Sequence, residues 1–324
     1  GGGYWTLVIG NLLAPIITTV SVVLLRRTAL AWPRIREMKE SLTFTRDQVV
    51  QTLSWYVYSN ADFLVAGKVL GATPLGIYSL AWTLAQSVPE KIIGLVMRVT
   101  PAYFSAVQND LVELRRYFLR LTEVLAIVAF PTLIGLALVT SPLVDLALEE
   151  KWAEMKAPLQ ILAIYAAYNS VTQLVSRVLT VRREMLFLRR IAVFLAVTLP
   201  FVFWFGSRWG PTGIALSWLT IHPLSRIPML MRVSRVAELS IFQYLAAYLP
   251  ALVSTTAMSM AVLGVGVALA DAGPGMKLLL MISTGILVYL GTLFSLFGRR
   301  VVPLVRLVRS GVQGPTAGNS DPPE

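Results

Sequence analysis

Cysteine is absent from this 324-residue chain. That excludes a disulfide framework, a thiolate nucleophile and any Cys-ligated metal. Histidine occurs once, as His222, which also excludes a site built from several imidazoles. Charge is scarce: 14% of residues are Asp, Glu, Lys or Arg against 56% hydrophobic, a balance outside that of water-soluble domains. The chain starts with Gly rather than Met, and it lacks the basic, apolar and small-residue succession of a signal peptide. We therefore expect it to be part of a longer protein.

What is present is a series of long apolar runs. A helix crossing a hydrocarbon core of about 30 Å needs about 20 predominantly apolar residues. Nine stretches meet that need, at about 4–25, 48–67, 76–98, 119–141, 158–180, 191–206, 213–231, 244–270 and 276–297. The expected fold is an all-α, polytopic transmembrane helical bundle.

A net charge of +11 raises the question of nucleic acid, and the positions of the cations answer it: they lie between the spans, so no nucleic-acid partner is expected. The connections after the odd-numbered spans hold twenty Lys and Arg residues, while those on the other side hold Lys68, Lys151, Lys156, Arg208 and Lys277. Because cations collect on the cytoplasmic side, this bias predicts a multi-pass protein of a cytoplasmic membrane with its C-terminus inside. The longest outer connection, "PLVDLALEEKWAEMKA" at 142–157, has room for a short surface helix and no catalytic domain. No motif with a catalytic mechanism appears, so neither enzyme activity nor a cofactor or metal is expected.

Asp62, Glu90, Lys91, Arg177 and Arg226 fall within spans. A charge at a helix centre costs roughly 2.5–3.5 kcal/mol, so these residues are expected to face protein or water. Residues three, four and seven apart share a helix face. Gln51, Ser54, Tyr58 and Asp62 line up in the second span, and Ser87, Lys91, Gly94 and Arg98 in the third, with Gln86 and Glu90 on the flank. The fifth carries Asn169, Thr172, Gln173, Ser176, Arg177 and Thr180; the seventh carries His222 and Arg226 with Ser225 beside them. Such stripes also hold helices together through hydrogen bonds without any ligand, and arginines near helix ends snorkel to headgroups. Asp62 is expected near the outer interface, where water lowers its cost. Since the fourth, eighth and ninth spans are almost purely apolar, the pattern predicts polar helices around a hydrated cavity. Pro89, Pro131 and Pro200 lie inside spans, where each removes a backbone hydrogen bond.

A cavity in which Lys91, Arg98, Arg177 and Arg226 outnumber Asp62 and Glu90 suits an anion, because ammonium and guanidinium groups give charge-assisted hydrogen bonds to phosphate oxygens. The run "DFLVAGKVLGATPLGIYSLAWTLAQSVPEKIIGLVMRVTPAYFSAVQND" resembles the seventh and eighth helices of bacterial polysaccharide transporters, the O-antigen and exopolysaccharide flippases of the multidrug/oligosaccharidyl-lipid/polysaccharide exporter superfamily. Asp62, "LGATPLGIYSLA" at 70–81, Pro89 with Lys91, and "TPAYFSAVQND" at 100–110 carry the likeness. "GPTGIALSWL" at 210 is similar to the start of that family's twelfth helix.

The resemblance implies that the nine spans correspond to helices six to fourteen of a two-lobe transporter, the first five being absent from this chain. Residues 1–41 would be the last helix of the N-terminal lobe with a cytoplasmic linker, 42–234 a complete six-helix lobe, 235–300 two trailing helices, and 301–324 a basic and then disordered tail. The implied activity is transfer of a polyprenyl-pyrophosphate-linked oligosaccharide from inner to outer leaflet by alternating access. In that setting Lys91, Arg98, Arg177, Arg226, Gln173 and Asn169 would bind pyrophosphate or sugar, and Asp62, Glu90 or His222 would couple an ion. Expected partners are the lipid-linked oligosaccharide, membrane lipids and other glycan-assembly proteins. Alternatives are a drug/cation antiporter or a lipid II flippase of the same superfamily, with a membrane glycan polymerase or ligase ranked below them.

Overall fold

The computed structural model describes residues 3–25, 39–106 and 110–312. Among them the chain is helical and contains no strand. It forms two units, Gly1–Arg46 and Asp47–Glu324. The first holds α1 (Gly3–Leu25) and the opening turns of α2 (Lys39–Val65). In α1 the hydroxyls of Thr18 and Thr19 donate to the carbonyls of Ala14 and Pro15 at 2.8 Å, the back-bonding open to a Thr within a helix.

The second unit continues with the rest of α2, a π-helical turn at Ala66–Leu70, α3 (Ala72–Ala106), α4 (Leu111–Ala147), a 3-10 turn at Glu150–Met155 and α5 (Lys156–Val181). Then come α6 (Met185–Gly206), a 3-10 turn at Ser207–Trp209, α7 (Gly210–Ser217), α8 (Ile221–Val236), α9 (Ile241–Ala268) and α10 (Pro274–Val312). Four stretches are long and apolar enough to cross a membrane: Leu111–Ala147, Met185–Val236 (which folds as α6 to α8), Ile241–Ala268 and Pro274–Val301. With large apolar side chains facing outward (Phe242 is 80% and Leu287 72% exposed), this is an all-α multi-pass membrane protein.

Local chemistry explains the punctuation. Gly71 ends the π-helical turn at φ +92°, a conformation only glycine takes without strain, so "VLGATP" turns sharply into α3. Asp110 caps α4, its carboxylate accepting from the amides of Val112 and Glu113 at 3.0 Å and satisfying two orphan donors. Gly206 and Gly213 let α6 and α7 cross backbone to backbone, since a Cβ on either would collide with the other's carbonyl.

The seventh expected span differs from a single helix: it breaks at 218–220 into α7 and α8. Pro223 supplies the reason. In an unbroken helix its ring would strike the carbonyl of Leu219 and leave that carbonyl without a donor. With α8 starting at Ile221, Pro223 sits in a first turn, where its missing N–H costs nothing.

Within the second unit the helices sort into two groups. One comprises α3, α5, α6, α7 and α8, with α2 joined through Asp62 and Phe63; the other is α4, α9 and α10, packed on one another and, through α4, on α5. Core residues join α4 to both, for example Phe118, stacked on Tyr244 of α9 at 5.6 Å, and Leu125, in a cluster with Leu174 of α5. Lipid tails are as apolar as Leu, so helix association rests on close packing and polar fixings. Several fixings are visible: Asp47 with Arg189, Glu184 with Arg232 through two contacts of 2.9 Å, and Glu123 with Arg300 at 2.6 Å.

Candidate functional site

A cavity of about 960 Å³ opens inside the first group, walled by α2, α3, α5, α6 and α8. That lies at the upper end of the roughly 300–1,000 Å³ of small-molecule sites. Glu90, Asn169, Gln173, Arg177, His222 and Arg226, all singled out by helical periodicity, meet there. Gln51, Thr52, Ser59, Asn60, Gln86 and Ser176 add polar lining.

Arg226 is the best-held cation. Its Nη2 donates to Asn169 Oδ1 at 3.4 Å and meets His222 Nε2 at 3.3 Å. A guanidinium has only donors, so the second contact needs Nε2 of His222 as acceptor. The four-residue spacing of His222 and Arg226 on α8, and the position of Asn169 on α5, bring the three together. Arg226 Nε and His222 Nδ1 remain buried without a hydrogen-bond partner. Arg177, three turns along α5 from Tyr165, reaches the same cavity exposed. Neither arginine pairs with a carboxylate among the described residues. Guanidinium groups in that state are available to an anion.

Other expected residues lie elsewhere. Lys91 is exposed and does not line this cavity. On α3 it is Gln86, Pro89 and Glu90 that do, so the stripe is turned by about one residue from the expected Ser87–Lys91–Gly94 line toward what looked like its flank. Arg98 lies in α3, its side chain outside those described. Thr172, expected on the open face of α5, is buried and donates to Tyr168 O at 3.1 Å.

Asp62 corrects a clear expectation. It does not sit in interfacial water: it is fully buried, its Oδ2 accepting from Tyr78 Oη at 2.6 Å and Trp218 Nε1 at 3.1 Å, and its Oδ1 from the Phe63 amide at 2.9 Å. Tyr78 and Trp218 lie 16 and 156 residues away in sequence, and the break between α7 and α8 is what swings Trp218 to it. Helical periodicity on α2 alone shows none of this.

The polar stripes of the sequence left out most of the cavity's aromatic residues. Phe63, Trp82, Tyr165 and Trp218 all line the cavity, in a cluster where Trp82 lies 5.4 Å from Trp218, 6.4 Å from Tyr165 and 5.8 Å from Phe63, centroid to centroid. The spacing Trp82, Gln86, Glu90 was the available signal. No group of three or more His, Asp and Glu side chains placed to hold a metal ion occurs among the described residues.

Residues 1–157 match the family described as polysaccharide biosynthesis protein. The chain is 30% identical over 200 residues to an uncharacterized membrane protein in the cps region of Klebsiella pneumoniae, covering 60% of this chain and 41% of that protein. It is 29% identical over 184 residues to the lipopolysaccharide biosynthesis protein WzxC of Escherichia coli K12, covering 56% and 37%. To the teichuronic acid biosynthesis protein TuaB of Bacillus subtilis it is 34% identical over 130 residues, covering 40% and 27%. The matches thus span about two-fifths or less of these relatives' lengths. No solved structure matches the chain. With its helical, membrane-spanning fold, the chain is thus similar over its first 157 residues to the family described as polysaccharide biosynthesis protein, and over part of its length to the membrane and polysaccharide biosynthesis proteins named above.

Proposed function

We propose that the chain forms part of a flippase that carries a polyprenyl-pyrophosphate-linked oligosaccharide from the inner to the outer leaflet of a bacterial cytoplasmic membrane. The observation that carries this reading is the pair of arginines, Arg177 and Arg226, facing a polar cavity with no carboxylate partner. An arginine as enclosed as Arg226, whose Nε is buried, would be paired if it were kept only for structure, because an uncompensated charge in low dielectric is costly, while Arg177 is open to the cavity. Here the missing anion is the cargo's pyrophosphate, bound by charge-assisted, forked hydrogen bonds.

Gln173 and Asn169 serve hydroxyls and phosphate oxygens beside the arginines. Glu90 and His222 reach the cavity, and any coupling to an ion falls to them rather than to Asp62, whose oxygens are already engaged. The lipid tail stays in the bilayer, and residues 42–234 act as one lobe of an alternating-access pair. The C-terminus lies in the cytoplasm, as the cation bias predicts.

The test is leaflet transfer in proteoliposomes of an undecaprenyl-pyrophosphate oligosaccharide by the protein that contains this chain. Transfer that falls at least tenfold in well-folded Arg177→Gln and Arg226→Gln variants supports the reading. Absence of transfer for several glycans, with efflux of a cationic dye instead, replaces it by the drug antiporter.

A further inference from the structure

The residues around the cavity are graded along its length. On α3 the order is Trp82, Gln86, Glu90; on α5 it is Tyr165, Asn169, Gln173, Arg177; on α8 it is His222, Arg226, with Trp218 of the preceding break 5.7 Å from the His222 ring. The α3 and α5 series and the His222–Arg226 pair step by four residues, about one turn, so each runs along one helix face. With Trp218 placed before His222, all three begin aromatic, pass through amide or imidazole, and end charged. The first members touch one another: Trp82–Trp218 at 5.4 Å, Tyr165–Trp218 at 5.0 Å and Trp82–Tyr165 at 6.4 Å. The three series therefore start from one end.

Within that end Trp82 is distinctive. Tyr78, Tyr165 and Trp218 are almost wholly buried, whereas Trp82 stays partly open to the cavity. It is held from several sides. Phe63 stands against it at 79°, and Trp218, behind it, is fixed by the hydrogen bond from its Nε1 to Asp62. One turn on, Gln86 offers an amide to the same space.

We infer that Trp82 is a sugar-stacking platform, and that the cavity binds its cargo lengthwise, with pyrophosphate at Arg177 and Arg226 and a pyranose ring at Trp82. This rests on the flippase reading above and adds the position and the recognition of the glycan. A pyranose carries hydroxyls on its rim and C–H groups on a face. The C–H hydrogens are weakly positive and suit the negative face of an indole, and the rim hydroxyls suit amides such as Gln86 and Asn169. The sugar class selected is one presenting an uninterrupted C–H face, as the gluco and galacto configurations do.

The experiment compares two ligands on the purified full chain in lipid nanodiscs: a short prenyl pyrophosphate, and the same compound carrying a disaccharide. In the unaltered protein the disaccharide tightens binding. Trp82→Leu removes about tenfold of that gain, the worth of one stacking contact, and binds the sugar-free compound as before. Trp82→Phe retains part of the gain, and thermal melting confirms that both variants are folded. Arg177→Gln and Arg226→Gln weaken both ligands alike. If Trp82→Leu keeps the full disaccharide gain, the platform is overturned while the pyrophosphate site stands. If it loses both ligands with melting unchanged, Trp82 does not discriminate sugar and the inference fails. If the unaltered protein binds neither ligand, the flippase reading falls and takes the platform with it.

Discussion

The seam of α4, α9 and α10 and the lining of the cavity treat their cations in opposite ways. On the α4, α9 and α10 side, Arg300 reaches Glu123 at 2.6 Å and the carbonyl of Ala246 at 3.3 Å, so the charge is neutralised and three helices are tied together. Tyr289 adds a hydrogen bond to Ile127 O at 2.6 Å. On the cavity side, Arg226 has only neutral neighbours, and Arg177 has no ion-pair partner among the described residues. A cation that stabilises the fold is supplied with its anion by the fold; one that serves a ligand waits for it.

The largest effect that tests this contrast is expected from removing both waiting charges. Arg177→Gln together with Arg226→Gln should weaken prenyl-pyrophosphate binding about a thousandfold, taking roughly 1.5–3 kcal/mol for each charge-assisted contact. Melting should change little or rise, because like charges inside the cavity are relieved. A lower melting point with unchanged affinity would mean that these arginines are structural.

Asp62→Ala comes next. Tyr78 Oη and Trp218 Nε1 would both lose their acceptor in a sealed site, at a cost of about 3 kcal/mol, read as a drop in thermal or denaturant stability in detergent. Asp62→Asn keeps one acceptor and should cost less than half as much. Equal loss in both would point to the carboxylate's charge rather than to its hydrogen bonds.

Arg300→Ala mirrors the double arginine variant. It leaves Glu123 buried without its partner, and stability should fall by about 2 kcal/mol with pyrophosphate affinity unchanged within twofold. Restoring stability by also changing Glu123 to Gln would confirm the pairing.

How much of this was legible in the sequence follows from which forces act locally. Apolar runs and caps depend on neighbours a few residues away, so helix positions and the polar stripes on α5 and α8 could be read directly. The break at 218–220 was written in Pro223 and passed unread, because an apolar run looks the same whether or not it is continuous. Trp82, Tyr165 and Trp218 went unmarked because an aromatic residue facing lipid, protein or a cavity leaves the same pattern. Asp62's partner lies 156 residues away, and no periodicity carries that information. Nor does it fix rotation: a stripe of polar residues shows that a face is wet, and only packing against α2 and α5 decides whether its centre is Lys91 or Glu90.

That rotation gives the smallest and sharpest prediction. Lys91 and Glu90 are adjacent on α3 and therefore about 100° apart around its axis, and only Glu90 lines the cavity. Lys91→Gln should shift prenyl-pyrophosphate affinity less than threefold, the remote effect of one screened charge. Glu90→Gln should tighten it by a similar modest factor, by removing a negative charge from the site that binds the anion. If Lys91→Gln instead weakens binding as much as Arg226→Gln, the pyrophosphate contacts the Lys91 face of α3, and the cation end of the site extends beyond this cavity.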